Sequence, residues 1–345
     1  MSKENKASFI KEIKELLQSA KERVVAAINV AMVYTYYEIG RKIVNEEQNG
    51  KNRAKYGEEI INRLSIALTK EFGKGYSRPY LRLIRQFYII YSQDNICETV
   101  FSESQHYPMT IEGRRFYLSW GHYIKLMRIS NIDERHFYEI ESYVNKWSVR
   151  ELNRQYDSSL YERLALSMDK EKVKQLSQIG QVIEKPIDAI KSPLVLNFLE
   201  LKEEKMYTEK ELETKIINKL QDFLLELGKG FTFVKRQMRL SFDEQNYYAD
   251  LVFYHRFLRC FVVIDLKIGQ LKHQDIGQMQ MYINFFDRYV KTPDENKTIG
   301  ILLCKDKNAS VVELTLPEDN EQIFASEYEI NLPSKEQLKN LLEDK

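Results

Sequence analysis

Apolar positions recur every three or four residues through much of the first half of the chain, the period of helices with one buried face. Residues 8–48 carry Phe9, Ile13, Leu16 and Leu17, then Val24, Ala27, Ile28 and Ala31, on that spacing. A loop with Asn49 and Gly50 follows, and 56–72 repeats the pattern through Ile60, Leu64, Ala67 and Leu68. Gly73 and Gly75 then break the helix. Ser77 is placed to cap the next one, and Pro79 suits its first turn. That helix is expected to bury Leu81, Ile84, Tyr88 and Tyr91 and to carry Arg78, Arg82 and Arg85 together on another face. Residues 93–115 show no period and read as a loop. Helical patterns resume over 116–129, 133–147 and 148–166, the last opened by Ser148 and Glu151 in capping-box spacing.

The period changes after residues 168–193, a polar stretch holding Gly180, Pro186 and Pro193. A linker over 168–195 is expected there, between a helical domain (1–167) and a second domain (196–345). TEKELETKIINKLQDFLLELGKG predicts one amphipathic helix that stops at Gly228. Short β-rich runs come next: FTFVKRQMRL, YYADLVFYH and CFVVIDLKI. DIGQMQMYINFFDRYV is helical, and TIGILLC and VVELTL read as two more strands. The order is α-β-β-β-α-β-β. Two consecutive strands are apolar on both faces, so the sheet is expected to be covered on both sides.

Asp250, Asp265 and Lys267 interrupt these apolar strands. An unpaired buried charge costs several kcal/mol, so such residues face water or converge on something. A hairpin turn centred between Phe257 and Leu258 puts Asp250 and Asp265 equally far from that centre, directly opposed on one face. Lys267 then shares the face. A one-residue slip would put the aspartates on opposite faces. Opposed carboxylates repel, and a divalent cation between them reverses that sign. Mg²⁺ suits such a site, and Mn²⁺ can substitute. A cation, an activated water and a lysine are the parts needed for phosphodiester hydrolysis. The same pattern is compatible with two strand ends at a wet edge, Lys267 being paired with one of them.

Composition narrows the setting. Hydrophobic residues make up 43% and charged residues 30% of the 345 positions, as in globular rather than disordered chains. No apolar run approaches the roughly 18 residues of a membrane span, and MSKENKASFIKEIKELL lacks a signal-peptide core. Cys97, Cys260 and Cys304 are far apart in sequence and read as free thiols in a reducing cytoplasm. The five histidines have no zinc-ligand spacing. A net charge of +1 favours no partner. The helix–turn–helix with Arg78, Arg82 and Arg85 is compatible with DNA or partner binding and equally with a solvated face.

Asp-x14-Asp-x-Lys on consecutive strands of an αβββαβ core resembles the PD-(D/E)XK, restriction-endonuclease-like fold. Residues from about 196 to 316 resemble the C-terminal domain of the YhcG family, through ELETKIINKLQDFLLELGKGFTFVKRQMRL, YYADLVFYHRFLRCFVVIDLKIG, GQMQMYINFFD and IGILLCKDKN. YGEEIINRLSIALTKEFGKGYS, RQFYIIY, LSWGHYIKLMRI and KWSVRELNRQYDSSLYERL resemble that family's helical domain. The likeness implies a two-domain, metal-dependent nuclease acting on DNA. Asp250 and Asp265 would bind Mg²⁺, and Lys267 would assist the water or the scissile phosphate. Glu213 would support the metal, and Gln278 and Tyr282, one helical turn apart, would lie beside the site, Gln278 supporting catalysis and Tyr282 contacting the nucleic acid. Asp265 stands where the family pattern has glutamate, one methylene longer. That substitution motivates the alternative: an inactive nuclease fold serving as a DNA-binding or scaffold module. Homo-oligomers or partner proteins of a defence or restriction system are the further expected associations.

Overall fold

The computed structural model describes residues 3–49, 54–93, 115–168, 170–191, 193–201, 207–242 and 244–343. The expected loop over 93–115 lies almost wholly outside them, and Cys97 wholly. The chain divides into two compact units, residues 1–156 with 175–180, and residues 157–174 with 181–345.

The first unit contains α1 (Lys3–Asn49), α2 (Ala54–Phe72), α3 (Arg78–Gln93), α4 (Trp120–Leu126), α5 (Ile132–Val144) and most of α6 (Val149–Asp157). Leu81, Ile84, Phe87 and Tyr91 line the buried face of α3; Phe87 takes the place expected for Tyr88. The core is aromatic: Tyr37, Phe87, Tyr91, Phe116 and Tyr123 meet edge-on or tilted. Their hydroxyls are satisfied inside it, since Tyr91 and Tyr123 both donate to the buried Glu139 carboxylate. The amide of Glu151 donates to Ser148 Oγ at 3.2 Å, which caps α6. The helical stretch 148–166 is two helices, because Ser159 turns left-handed (φ 51°) before α7 (Leu160–Ser167).

The second unit is built on one six-stranded sheet, formed by β1 (Leu194–Val195), β2 (Phe231–Phe242), β3 (Gln245–His255), β4 (Cys260–Gln270), β5 (Ile299–Asp306) and β6 (Ile323–Glu329). The spatial order is β1-β6-β5-β4-β3-β2. Strands β2, β3 and β4 are antiparallel neighbours; β4, β5, β6 and β1 run parallel. On one face, Leu212 and Ile216 of α9 (Glu209–Asn218) and Phe223 and Leu227 of α10 (Leu220–Leu227) join Leu251, Phe253, Ile264 and Leu266 in one core. On the other, Ile276, Met279 and Ile283 of α11 (His273–Phe285) join Val252, Val263 and Leu302. The covered sheet expected from the doubly apolar strands is present, and the chain has the expected class: a helical N-terminal region followed by a restriction-endonuclease-like α/β domain.

Three expectations are corrected. The helix over 208–230 is two helices, broken where Lys219 leaves helical geometry (φ −118°, ψ 32°). VVELTL is not a strand; it lies largely in α12 (Ala309–Thr315), started by Asn308, whose side chain accepts from the Val311 amide. Strands β5 and β6 are parallel, so the chain must cross over between them, and a strand following β5 directly could only pair antiparallel. The last strand is instead 323–329. The stretch 168–195 holds α8 (Lys170–Ile179), a short 3₁₀ turn (Pro186–Ala189) and the whole of β1. Its Asp188 is buried and paired with Lys172 at 2.6 Å, and its Ala189, Ile190 and Leu194 are buried in the core that α9 and α10 form with the sheet, so this segment is part of the fold.

Candidate active site

The β3–β4 hairpin fixes the central geometry. Its ladder pairs His255 with Cys260 and runs through Val252↔Val263 to Leu251↔Ile264, the register of a turn centred between Phe257 and Leu258. One step further, Asp250 and Asp265 face each other. Val252 and Val263 lie in the core with α11, and the alternation of strand side chains carries Asp250 and Asp265 onto that same face. The ladder opens here for a reason: Asp250 Oδ2 accepts from the Leu266 amide at 2.9 Å, where a backbone carbonyl would otherwise serve.

The β2–β3 hairpin adds a residue that sequence reasoning missed. Arg236↔Leu251 and Met238↔Ala249 put Gln237 across from Asp250 on the side away from Asp265. Gln237 has φ 44°, a left-handed conformation that a non-glycine residue holds only when its surroundings enforce it. Its Nε2 donates to Asp250 Oδ1 at 2.9 Å and to Glu213 Oε2 at 2.8 Å. One amide therefore joins the β3 aspartate to the α9 glutamate. The signal was available: applying the symmetric-hairpin argument to the tight turn between Phe242 and Gln245 places Gln237 opposite Asp250.

Electrostatics mark the cluster. Asp265 is almost fully buried, and its pKa is pushed up to about 7, first by burial and then by the Asp250 carboxylate, with Lys267 opposing both. Glu213 is raised by burial; the Gln237 hydrogen bond works against that, and Asp250 adds to it. Burial opposes the charge on Lys267, but the Asp265 carboxylate, 2.7 Å from Nζ, together with Glu209 and Asp275 outweighs it, and the ammonium pKa is held above its ordinary value. Asp275, in the first turn of α11, lies 3.9 Å from the same nitrogen. Arg236 Nε stands 3.4 Å from Glu213 Oε1, and that buried oxygen makes no hydrogen bond.

The donor set suits a hard cation that keeps most of its waters. Among the described residues no three Asp, Glu, His or Cys side chains converge tightly enough to cage a metal, and Glu213 is set back behind Gln237. Mg²⁺, however, commonly takes one or two protein carboxylates and fills its octahedron with water. Two opposed carboxylates, one of them reluctant to ionise, and a buried glutamate oxygen lacking a hydrogen bond fit that requirement.

The other candidates fall in different places. Tyr282 is buried; its hydroxyl accepts from Gln278 Nε2 at 2.7 Å and donates to the Tyr248 carbonyl at 3.0 Å. Burial, then Asp265 and Asp250, push its pKa up to about 12. It braces the strand next to Asp250 and offers no surface for a nucleic-acid contact, contrary to expectation; Gln278 is its partner. In the first unit, Arg82 and Arg85 lie on one side of α3 as expected, but they pair with Glu58 (2.6 Å) and Glu47 (2.7 Å). Arg78 is exposed.

A mixed sheet covered by helices, with Asp-x14-Asp-x-Lys on the two strands of its β3–β4 hairpin, defines a domain of the PD-(D/E)XK, restriction-endonuclease-like class. Residues 187–343 match the family described as the YhcG PDDEXK nuclease domain, and residues 12–163 match the DUF1016 N-terminal domain. The chain is 40% identical over 338 residues to the Escherichia coli (strain K12) protein named Putative nuclease YhcG, covering 94% of this chain and 90% of that one. The chain belongs to the YhcG family. Among solved structures, a repair endonuclease from Pyrococcus abyssi aligns with 38% of this chain and 50% of its own, at 16% identity and a TM-score of 0.25. A structure titled EndoMS-dsDNA2 complex aligns with 39% and 50%, at 14% identity and a TM-score of 0.27. The chain thus spans about half the length of each.

Proposed function

We propose that the second unit is a divalent-metal-dependent nuclease that hydrolyses phosphodiester bonds in DNA. The observation that carries this reading is the convergence of Asp250, Asp265 and Lys267, with Asp265 holding its proton to about pH 7 when no cation is present. Asp250 and Asp265 would hold Mg²⁺ or Mn²⁺, which when bound supplies positive charge beside the scissile phosphate and makes water more acidic. Gln237 fixes the Asp250 carboxylate by donating to Oδ1, while the Leu266 amide fixes Oδ2. Lys267, cationic and anchored by Asp265, has further N–H donors for a phosphate oxygen or the attacking water. Glu213 accepts from Gln237 and carries negative charge to the rear of the site. Lys210 and Arg236, which act electrostatically on Glu213, supply cations for the phosphate backbone.

The aspartate at 265 supports activity rather than an inert scaffold, since despite its shorter reach it contacts both Lys267 and Asp250. No described helix is long and apolar enough to cross a membrane. Cys260 and Cys304 are buried free thiols, which supports a cytoplasmic setting. The test is cleavage of linear, nicked, branched and single-stranded DNA with Mg²⁺, Mn²⁺ or EDTA. Cation-dependent cleavage that Asp250→Asn and Lys267→Ala each abolish is expected. Cleavage undiminished in Asp250→Asn, or absent on every substrate with both cations, would refute the reading.

A further inference from the structure

Helix α1 runs for 47 residues, yet the first buried residue in its described part is Val30. Ahead of it, Ile10, Ile13, Leu16, Leu17, Val24 and Ile28 each leave between 41% and 67% of their surface open. In proteins most helical stability comes from packing an apolar face rather than from intrinsic propensity. The exposed residues are also ordered. Ile10, Ile13, Leu17, Ala20, Val24, Ala27 and Ala31 follow alternating steps of three and four residues, the a/d seam of a coiled coil, with Ile10, Leu17, Val24 and Ala31 at a and Ile13, Ala20 and Ala27 at d. The seam spans about 32 Å of helix.

We propose that α1 is a dimerisation element, pairing in parallel and in register with α1 of a second copy of this chain. Three observations select that occupant. The seam is self-complementary, as two-fold pairing requires, and its β-branched Ile10 and Val24 at a favour two strands. The flanks exclude the reverse orientation: antiparallel packing that sets Leu17 against Ala20 would bring Lys14 beside Lys21 of the second copy. In parallel register the flanking pairs are Leu16 with Lys21 and Arg23 with Ile28, so no like charges meet and the lysine stem covers leucine. Last, the six large side chains, each about half open, present on the order of 600 Å² per copy. Doubled, this reaches the roughly 1,200 Å² at which stable interfaces begin.

The test uses the full chain and is independent of any nuclease activity. Sedimentation equilibrium should give a dimer that Leu17→Glu with Val24→Glu converts to monomer, while Ser19→Glu, on the outer face of the same helix, leaves it dimeric. Loss of α1 helicity in the double variant is itself expected if pairing holds that helix together. A second measurement therefore keeps folding: with Cys97→Ser, single Leu17→Cys and Val24→Cys variants should each form a disulfide-linked dimer with themselves on mild oxidation. A monomer at 50 to 100 micromolar overturns the proposal, as does a dimer that ignores Leu17→Glu with Val24→Glu. Linkage of Leu17→Cys only to Ala20→Cys would overturn the parallel arrangement, and recovery of the chain bound only to lipid vesicles or to an unrelated protein would overturn the choice of occupant.

Discussion

Replacing Asp265 with asparagine should stabilise the metal-free protein above neutral pH. The carboxyl is buried beside Asp250, and its folded pKa is about 7 against an ordinary 3.8. Between those values the unfolded chain releases its proton and the folded chain keeps it, so the unfolded state binds fewer protons and stability falls as pH rises. The loss is complete above about pH 7. The gap of about three pH units, at about 1.4 kcal/mol each, makes it on the order of 4 kcal/mol. Asparagine mimics the neutral acid and escapes this loss, less about 1–2 kcal/mol for imperfect hydrogen bonding. In EDTA, Asp265→Asn is therefore expected to lie about 1 kcal/mol below the parent near pH 4 and to exceed it by about 2–3 kcal/mol at pH 8. Both tryptophans, Trp120 and Trp147, lie in the helical unit, so fluorescence reports on the wrong part; calorimetry of the second unit's transition is the assay. Glu213 shifts in the same direction, whereas His122 and His255, both lowered by burial, act oppositely. The decisive quantity is therefore the difference between variant and parent at each pH. Saturating Mn²⁺ should remove that difference by stabilising the parent, about 2.7 kcal/mol at a hundred times Kd, and should leave the variant unchanged. A difference that is flat from pH 5 to 8, or a variant less stable at every pH, would refute the reasoning.

Three further outcomes can be checked. Gln237→Leu leaves Asp250 and Glu213 unbridged and should lower Mn²⁺ affinity and cleavage at least tenfold while far-UV circular dichroism is unchanged; isothermal titration and cleavage kinetics measure this. A Cβ at Gly300 would lie 2.5 Å from Met279 Cγ and Sδ, where α11 meets β5, so Gly300→Val should cost about 1–3 kcal/mol by overpacking, read as a lower Tm. If Arg82 and Arg85 are held by Glu58 and Glu47, alanine at both should change DNA affinity less than twofold, whereas Arg236→Ala should weaken binding and flatten its salt dependence in a filter-binding titration.

Much of the candidate site was legible because strand geometry is periodic. Given two strands and a turn centre, opposition of Asp250 and Asp265 follows from counting, and Lys267 follows from alternation. The same counting would have found Gln237 at the neighbouring hairpin. Glu213 was reached through resemblance alone; no local period marks which helix glutamate meets a strand. Tyr282 and the arginines of α3 show the opposite failure. Their spacing placed them correctly on helix faces, but spacing does not say whether a face meets solvent, a carboxylate or a core.

By itself the sequence determined the helical first half, the long strands, the covered sheet and the aspartate register, since each depends on contacts close along the chain or on a hairpin's fixed symmetry. The tertiary structure decided that VVELTL is a crossover helix, that the last strand is 323–329, that residues 168–195 belong to the fold, and that Gln237 ties α9 to β3. The physical reason is common to all four. Short segments have weak intrinsic preferences, so their state is set by distant partners: parallel pairing that demands a crossover, a buried aspartate that needs its lysine, and carboxylates that need a donor.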